Sequence, residues 1–288
     1  MKVFQKLIWP YGVWMGIFVV FPLLLITLYA FTSPGNNVVT FQFTLENFLR
    51  FFDPVYFRIL AKSLYIALIT TIISLIIGYP LAYFISRKSD RVQMLLMLLV
   101  TMPMWINMLI RTYAWISILS KNGLLNNLLT ALNLPNVEIM YTDTAVLIGM
   151  VYNYLPFMIL SIYTQLTKMD ESLVAASYDL GANWRQTFSK VIFPLSLPGV
   201  ITGITLVFLP AVSSFVIPKL LGGGSYMLIG NLIENQFISI GDWNFGSSVS
   251  LIMTIIIIIS MYITKKVDKN IDETTPARTG GARVYGRN

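Results

Sequence analysis

The sequence predicts an all-α integral membrane protein with six transmembrane helices, and three observations predict it. Of 288 residues, 56% are hydrophobic and 11% charged, whereas a soluble domain carries about 25% charged residues. The mean hydropathy is +0.71. The apolar residues gather into six runs, each long enough to supply the ~20 residues of helix that cross a bilayer core.

The first run is Leu7 to Phe31, behind Lys2 and Lys6. It is too long for the apolar part of a signal peptide, and no A-x-A cleavage pattern follows it, so a retained first helix is expected. An outer loop from Phe31 to Arg58 carries a short amphipathic stretch, and Asp53 followed by Pro54 reads as an N-cap with proline at the first helical position. The second run is Ile59 to Ile85 and the third Val92 to Leu119. A connector from Asn122 to Asp143 holds the breakers Gly123 and Pro135. The fourth run is Thr144 to Tyr163, the fifth Leu195 to Ile217 and the sixth Gly246 to Thr264. Pro22, Pro80, Pro103, Pro156 and Pro210 fall inside these runs. Each removes a backbone donor, so kinks are expected, with neighbouring helices satisfying the freed carbonyls. Residues 1–267 are read as the transmembrane domain and 268–288 as a polar cytoplasmic tail.

Charge orients the runs. With the N-terminus in the cytoplasm, Lys2, Lys6, Arg87, Lys88, Arg91, Lys168, Arg185, Lys190, Lys265, Lys266, Lys269, Arg278, Arg283 and Arg287 lie inside, as the positive-inside rule requires. Outside, or within the outer halves of spans, Arg50, Arg58, Lys62, Arg111, Lys121 and Lys219 are balanced by Glu46, Asp53, Glu138, Asp143, Glu234 and Asp242. The entire net charge of +7 therefore falls on the cytoplasmic face. Its meaning is topology and attraction to anionic membrane lipid rather than nucleic-acid binding. Both termini are expected inside.

Several chemistries are excluded. The chain has no cysteine and no histidine, which removes disulfides, thiol chemistry and imidazole ligands or relays. No GxxxxGK[ST] phosphate loop occurs, so nucleotide energy must enter through another chain. No cofactor is expected in this one, and no convergent nucleophile, base or metal ligands point to an enzyme.

The polar interruption Met169 to Gly199 is the most informative stretch. Asp170 is a good N-cap, with Glu171 in the first turn of the helix it opens. Leu173, Ala176 or Ser177, and Leu180 recur at helical spacing. Gly181 sits where a C′ glycine with positive φ ends a helix. A second short helix starts at Asn183, with Gln186 as its capping-box partner, and Phe188, Val191 and Ile192 make its apolar face up to a stop at Pro194. Ala175, Ala176 and Ser177 form a flat patch where another backbone can approach closely. Asp179, an acid near a helix C-terminus, points to a cationic partner. A connector with these features reads as a docking foot.

This foot resembles the signature loop of ABC importer permeases: E-A-A, three residues, G, nine residues, I-x-L-P. Ala175, Ala176 and Ser177 stand at E-A-A, Gly181 at G, and Val191, Phe193 and Pro194 at I, L and P. Ala175 replaces the glutamate and Ser177 the second alanine. The blocks FTLENF (Phe43 to Phe48), DPVYF (Asp53 to Phe57), IGYPLAYF (Ile77 to Phe84), MPMWINMLIRTYAW (Met102 to Trp115), YNYLPFMILSIY (Tyr152 to Tyr163) and GDWNFGSS (Gly241 to Ser248) are similar to B-type permeases of spermidine/putrescine importers. The resemblance implies a type I ABC importer permease fold with cytoplasmic coupling helices. The ATPase-coupling residues would be Ala175, Ala176, Ser177, Asp179, Gly181, Phe188 and Pro194. It further implies a sister permease, an ATPase dimer that binds ATP and Mg²⁺, and an extracytoplasmic polyamine-binding protein, in a bacterial cell membrane. Relatives in the wider family serve iron, thiamine or sulfate.

A polyamine is a flexible polycation, so its pathway calls for aromatic faces, carboxylates and amide oxygens. Trp105, Asn107, Tyr113, Tyr152, Asn153, Tyr154 and Asp242 are the candidates. Trp9, Trp14 and Trp243 are read as interfacial anchors. Arg111 is the odd intramembrane charge. Such a residue costs roughly 2.5–3.5 kcal/mol to insert and faces a bundle interior or cavity. Because it repels a polycation, a structural or gating role is expected, paired with an acid of the sister permease. A secondary transporter is the rival reading, and it would be expected to carry mid-span acids. A channel or scaffold would need no foot.

Overall fold

A computed structural model describes residues 10–33 and 42–274. Lys2, Lys6, Trp9 and the end of the expected tail, 275–288, lie outside the described residues. Those described form helices, with one isolated antiparallel bridge between Thr32 and Phe43. Five helices are long and apolar enough to cross a membrane, and a bent pair makes a sixth span if counted as one. The chain divides into two compact units, Met1–Lys62 with Met227–Ile258, and Ser63–Tyr226 with Ile259–Asn288.

In the first unit, α1 (Pro10–Ala30) contains a π-helical turn, Gly16–Val20, closed by Phe21 N–H donating to the Gly16 carbonyl. Pro22 follows at once. Its ring would collide with a regular i−4 carbonyl and it offers no N–H, and the wider π turn relieves both problems. The last carbonyls of a helix have no partner within it. Here two buried asparagines supply donors. Asn47, on α2 (Glu46–Phe51), donates to Ala30 O at 3.2 Å and Thr32 O at 2.9 Å. Asn244, in the first turn of α12 (Trp243–Thr274), donates to Tyr29 O at 3.0 Å and Thr32 O at 2.7 Å. The expected anchor Trp243 packs against Tyr29 and Phe237 in the same unit. The tail boundary drawn at 267/268 falls inside α12, which continues to Thr274.

α3 (Pro54–Ser86) opens as expected, with Val55 N–H donating to Asp53 Oδ1 at 2.9 Å. The second unit holds most of it. There the third span is not one helix. α4 (Asp90–Thr101) runs into a 3₁₀ turn, Met102–Trp105, and α5 (Met108–Leu119) leaves at an angle of 94°. Pro103 lies in the 3₁₀ turn. Ile106 and Asn107 then take extended ψ values of 138° and 134°, and the Asn107 side chain caps α5 by accepting from Leu109 N–H at 2.8 Å. A proline kink was expected here, and the capped right-angle bend is a full break.

α6 (Leu124–Ala131) lies in the connector, whose loop is held by Asn126. That side chain donates to Val137 O at 3.0 Å and accepts from Val137 N–H at 2.9 Å. α7 (Asp143–Thr167) and α9 (Trp184–Ser213) form the core of this unit. Glycines set their approach: a Cβ at Gly199 would lie 2.9 Å from the Ser161 carbonyl oxygen, and one at Gly203 2.6 Å from Met158 Sδ. Small residues at such a seam let backbones close together where lipid supplies no hydrophobic drive. α9 ends at Ser213, short of the expected Ile217, because Ser214 turns extended and a separate short helix, α10 (Val216–Leu221), follows. Ser213 and Tyr154 hydroxyls donate to the Pro210 carbonyl near that end. Between α10 and α12, Ile229–Glu234 forms α11, continued by a π turn over Asn235–Ile240. Glu234 is thus helical rather than in an open loop.

Candidate functional site

The foot is built from its two caps inward. α8 (Glu171–Asp179) begins where Asp170 accepts the Ser172 N–H at 2.9 Å. That bond to the charged form holds the Asp170 carboxyl below its ordinary range. At the other end Gly181 has φ +82°. Its N–H donates to Tyr178 O at 2.9 Å, and Ala182 N–H to Ser177 O at 3.0 Å. These two bonds make a Schellman cap, which favours glycine at the left-handed position. Asn183 and Gln186 then exchange both bonds of a capping box, at 3.0 and 2.9 Å, and α9 starts.

The structure sorts the seven expected coupling residues into three groups. Ala175, Ala176, Asp179 and Gly181 are exposed. Around them stand apolar side chains that the sequence did not single out as contacts: Tyr178, Trp184 and Leu180, the last 89% exposed. Their exposure on a polar connector is the signal that could have flagged them. Ser177 is the second group, and it corrects the expected flat patch. It is buried, with Oγ donating to Val174 O at 2.8 Å and lying 2.9 Å from Thr187 Oγ1. It pins α8 to α9.

Phe188 and Pro194 form the third group, turned into the fold. Phe188 packs against Tyr79, Tyr83 and Trp184. Pro194 does not stop the helix as expected. A π turn, Phe188–Ile192, closed by Phe193 N–H to Phe188 O, precedes it and carries the helix into the span. The physical reason is the one that operates at Pro22. The second helix of the foot and the fifth span are therefore one continuous helix of 30 residues, Trp184–Ser213.

The candidate pathway residues separate as well. Trp105 and Asn107 sit at the break between α4 and α5, both exposed, Trp105 by 78%. Tyr113 is exposed on α5, and Tyr152 packs edge-on against Trp115. Asn153 and Tyr154 are buried. Asn153 donates to Gly149 O at 2.7 Å, while its Oδ1 has no partner among the described residues. Arg111, in the first turn of α5, is half-buried, with Nε and Nη1 likewise unpartnered among the described residues.

Asp242 belongs to the other unit, and its carboxylate is already engaged. It pairs with Arg50 at 2.7 Å and caps α12 by accepting the Phe245 N–H at 3.0 Å. The Arg50 guanidinium also lies 4.2 Å above the Phe245 ring.

A family model for binding-protein-dependent transport system inner membrane components matches residues 74–273. The spermidine/putrescine transport system permease protein PotB of Escherichia coli is 43% identical over 246 residues, covering 84% of this chain and 90% of that protein. Its namesake from Haemophilus influenzae is 40% identical over 259 residues, covering 89% and 91%. Among solved structures, a chain of a bacterial ABC transporter involved in import of the acidic polysaccharide alginate superposes with a TM-score of 0.76. It is 15% identical, with 94% of this chain and 96% of that one covered. A chain of the MetNI methionine ABC transporter, in inward-facing conformations, gives 0.59 at 16% identity, covering 76% and 98%.

Proposed function

This chain belongs to the family of binding-protein-dependent transport system inner membrane components, and from that membership we propose that it forms half of the translocation pathway of an ATP-driven polyamine importer. Its fold is that of type I ABC importer permeases, and it is a multi-pass inner-membrane protein. The observation that carries the coupling role is the foot. The capped end of α8 and the capping box that opens α9 present Ala175, Ala176, Leu180 and Trp184 around Gly181, and α9 continues from that corner into a membrane span. A rigid projection with an exposed apolar tip fits a groove on a cytoplasmic ATPase dimer, which binds ATP and Mg²⁺. Closure of that dimer then moves the span.

The remaining partners are a sister permease and an extracytoplasmic binding protein. Polyamine as the solute is supported by relatives at 40–43% identity that are named as spermidine/putrescine transport system permeases. Trp105, Asn107 and Tyr113, exposed at and beyond the break in the third span, offer a π face, an amide and a phenol to a passing ammonium group. Arg111 sets the opposite sign, and its two unpartnered donors suit an acceptor on the sister permease.

The test is uptake of labelled spermidine and putrescine by cells carrying the native chain, no chain, Gly181→Ala or Gly181→Trp. No Cβ contact exists within 4 Å at Gly181. Both variants therefore share the cost of a side chain at positive φ, about 1–2 kcal/mol, and only tryptophan adds bulk to the docking tip. Deletion is expected to abolish uptake. Gly181→Ala is expected to retain most of it, and Gly181→Trp to lose uptake and ATPase co-purification while staying in the membrane. Uptake unaffected by deletion rejects the solute, and full activity of Gly181→Trp rejects the docking site.

A further inference from the structure

Phe188 stands at a junction that docking alone does not explain. It opens the π turn Phe188–Ile192, the wide turn between the foot and the membrane portion of α9. Its ring, half-buried, makes edge-to-face contacts with Tyr79 (5.9 Å, 82°) and Tyr83 (5.7 Å, 90°), both on α3. Trp184 stacks on it from the foot at 5.6 Å and 21°. Tyr79 in turn packs on Phe193 at 5.8 Å, and its hydroxyl lies 2.8 Å from Ser196 Oγ. The foot is thus tied to the second span by side chains that bypass the wide turn.

We propose that Phe188, with Tyr79, is the joint that passes movement of the foot to the second span: a positioning pair rather than an ATPase contact. The proposal rests on the ATP-coupled reading above. Packed aromatic side chains transmit displacement because close-packed interiors switch between discrete arrangements instead of deforming smoothly. A π turn closes its ring over one more residue than an α turn, so it is the place where axial motion of the foot can be absorbed. The ring cluster spans that turn. Without it, the ATPase would still dock and hydrolyse ATP, but less of each stroke would reach the pathway.

The test uses the complete transporter in proteoliposomes, scoring labelled spermidine carried per ATP hydrolysed. Phe188→Leu keeps apolar bulk and removes the ring; Phe188→Tyr keeps the ring. For Phe188→Leu, ATPase co-purification and hydrolysis are expected to stay near wild type. Solute carried per ATP should fall severalfold, because the two edge-to-face contacts that carry the displacement are lost. Phe188→Tyr should restore the ratio. Tyr79→Phe, which keeps its ring but loses the Ser196 link, should give a smaller fall. An unchanged ratio in Phe188→Leu overturns the joint, and so does loss of the ATPase from that variant, which would make Phe188 a docking contact. Failure of the underlying coupling reading shows separately, as normal transport by Gly181→Trp.

Discussion

Asp170 shows how much one side chain decides at the foot. Its carboxylate caps α8 through the Ser172 N–H, and that bond keeps its carboxyl below the ordinary value. The capping contribution is therefore complete at neutral pH, above the unfolded value, and is lost only as acid takes the pH down through the lowered folded value. Amide exchange at Ser172 and Leu173 is expected to be flat between pH 7 and pH 5 apart from its intrinsic dependence. Asp170→Asn should retain the cap and abolish the acid transition, whereas Asp170→Ala should speed exchange about fivefold. Equal protection in the alanine variant would remove the cap from the foot's design. This cap, the glycine end and the capping box were legible in sequence because all are local, read within a few residues. Asp242 was not. Its partner Arg50 lies 192 positions away, and no spacing rule pairs residues at that distance. An acid that looked free for a polycation is held by an ion pair and a helix N-terminus.

At the scale of elements, hydropathy located every span, because the need for about 20 apolar residues is imposed by the bilayer. It missed how the elements bend. A window average cannot distinguish a kink from the 94° bend at Ile106 and Asn107, which depends on two extended ψ values and one side-chain cap. Pro194 was misread for a related reason. Proline ends a regular helix but is accepted by a π turn, and nothing in composition announces one. The seam of α7 and α9 depends on glycines that leave no room for a side chain. A Cβ at Gly199 meets the Ser161 carbonyl at 2.9 Å, and backbone cannot swing aside. Gly199→Ala is expected to destabilise the protein by about 1–3 kcal/mol and to lower uptake. Gly12→Ala, at a helical glycine with nothing within 4 Å, should be neutral to stabilising by up to about 1 kcal/mol. Thermal denaturation of the detergent-purified transporter measures both, and equal midpoints would mean that the seam is looser than drawn.

For the whole molecule, function depends on which face of the membrane carries the foot. With six alternating spans, the basic residues Arg87, Lys88, Arg91, Lys168, Arg185, Lys190, Lys265 and Lys266 are expected on one side. Positive-inside bias predicts that this side is cytoplasmic, where ATP is available. The opposite side carries Glu138, whose exposed ion pair with Lys121 at 3.4 Å contributes little stability, so it can be replaced without cost to the fold. The chain contains no cysteine, and single cysteines can be introduced without clearing a background. Glu138→Cys is expected to react with a membrane-impermeant maleimide in intact spheroplasts, and Glu171→Cys, exposed at the start of α8, only in inverted vesicles. Adding the ATPase should slow labelling at Ala175→Cys, on the docking tip, and leave Glu138→Cys unchanged. The reversed pattern would place the foot away from the nucleotide. An ATPase could then not reach it, and the continuous helix from Trp184 to Ser213 would have no engine at its end.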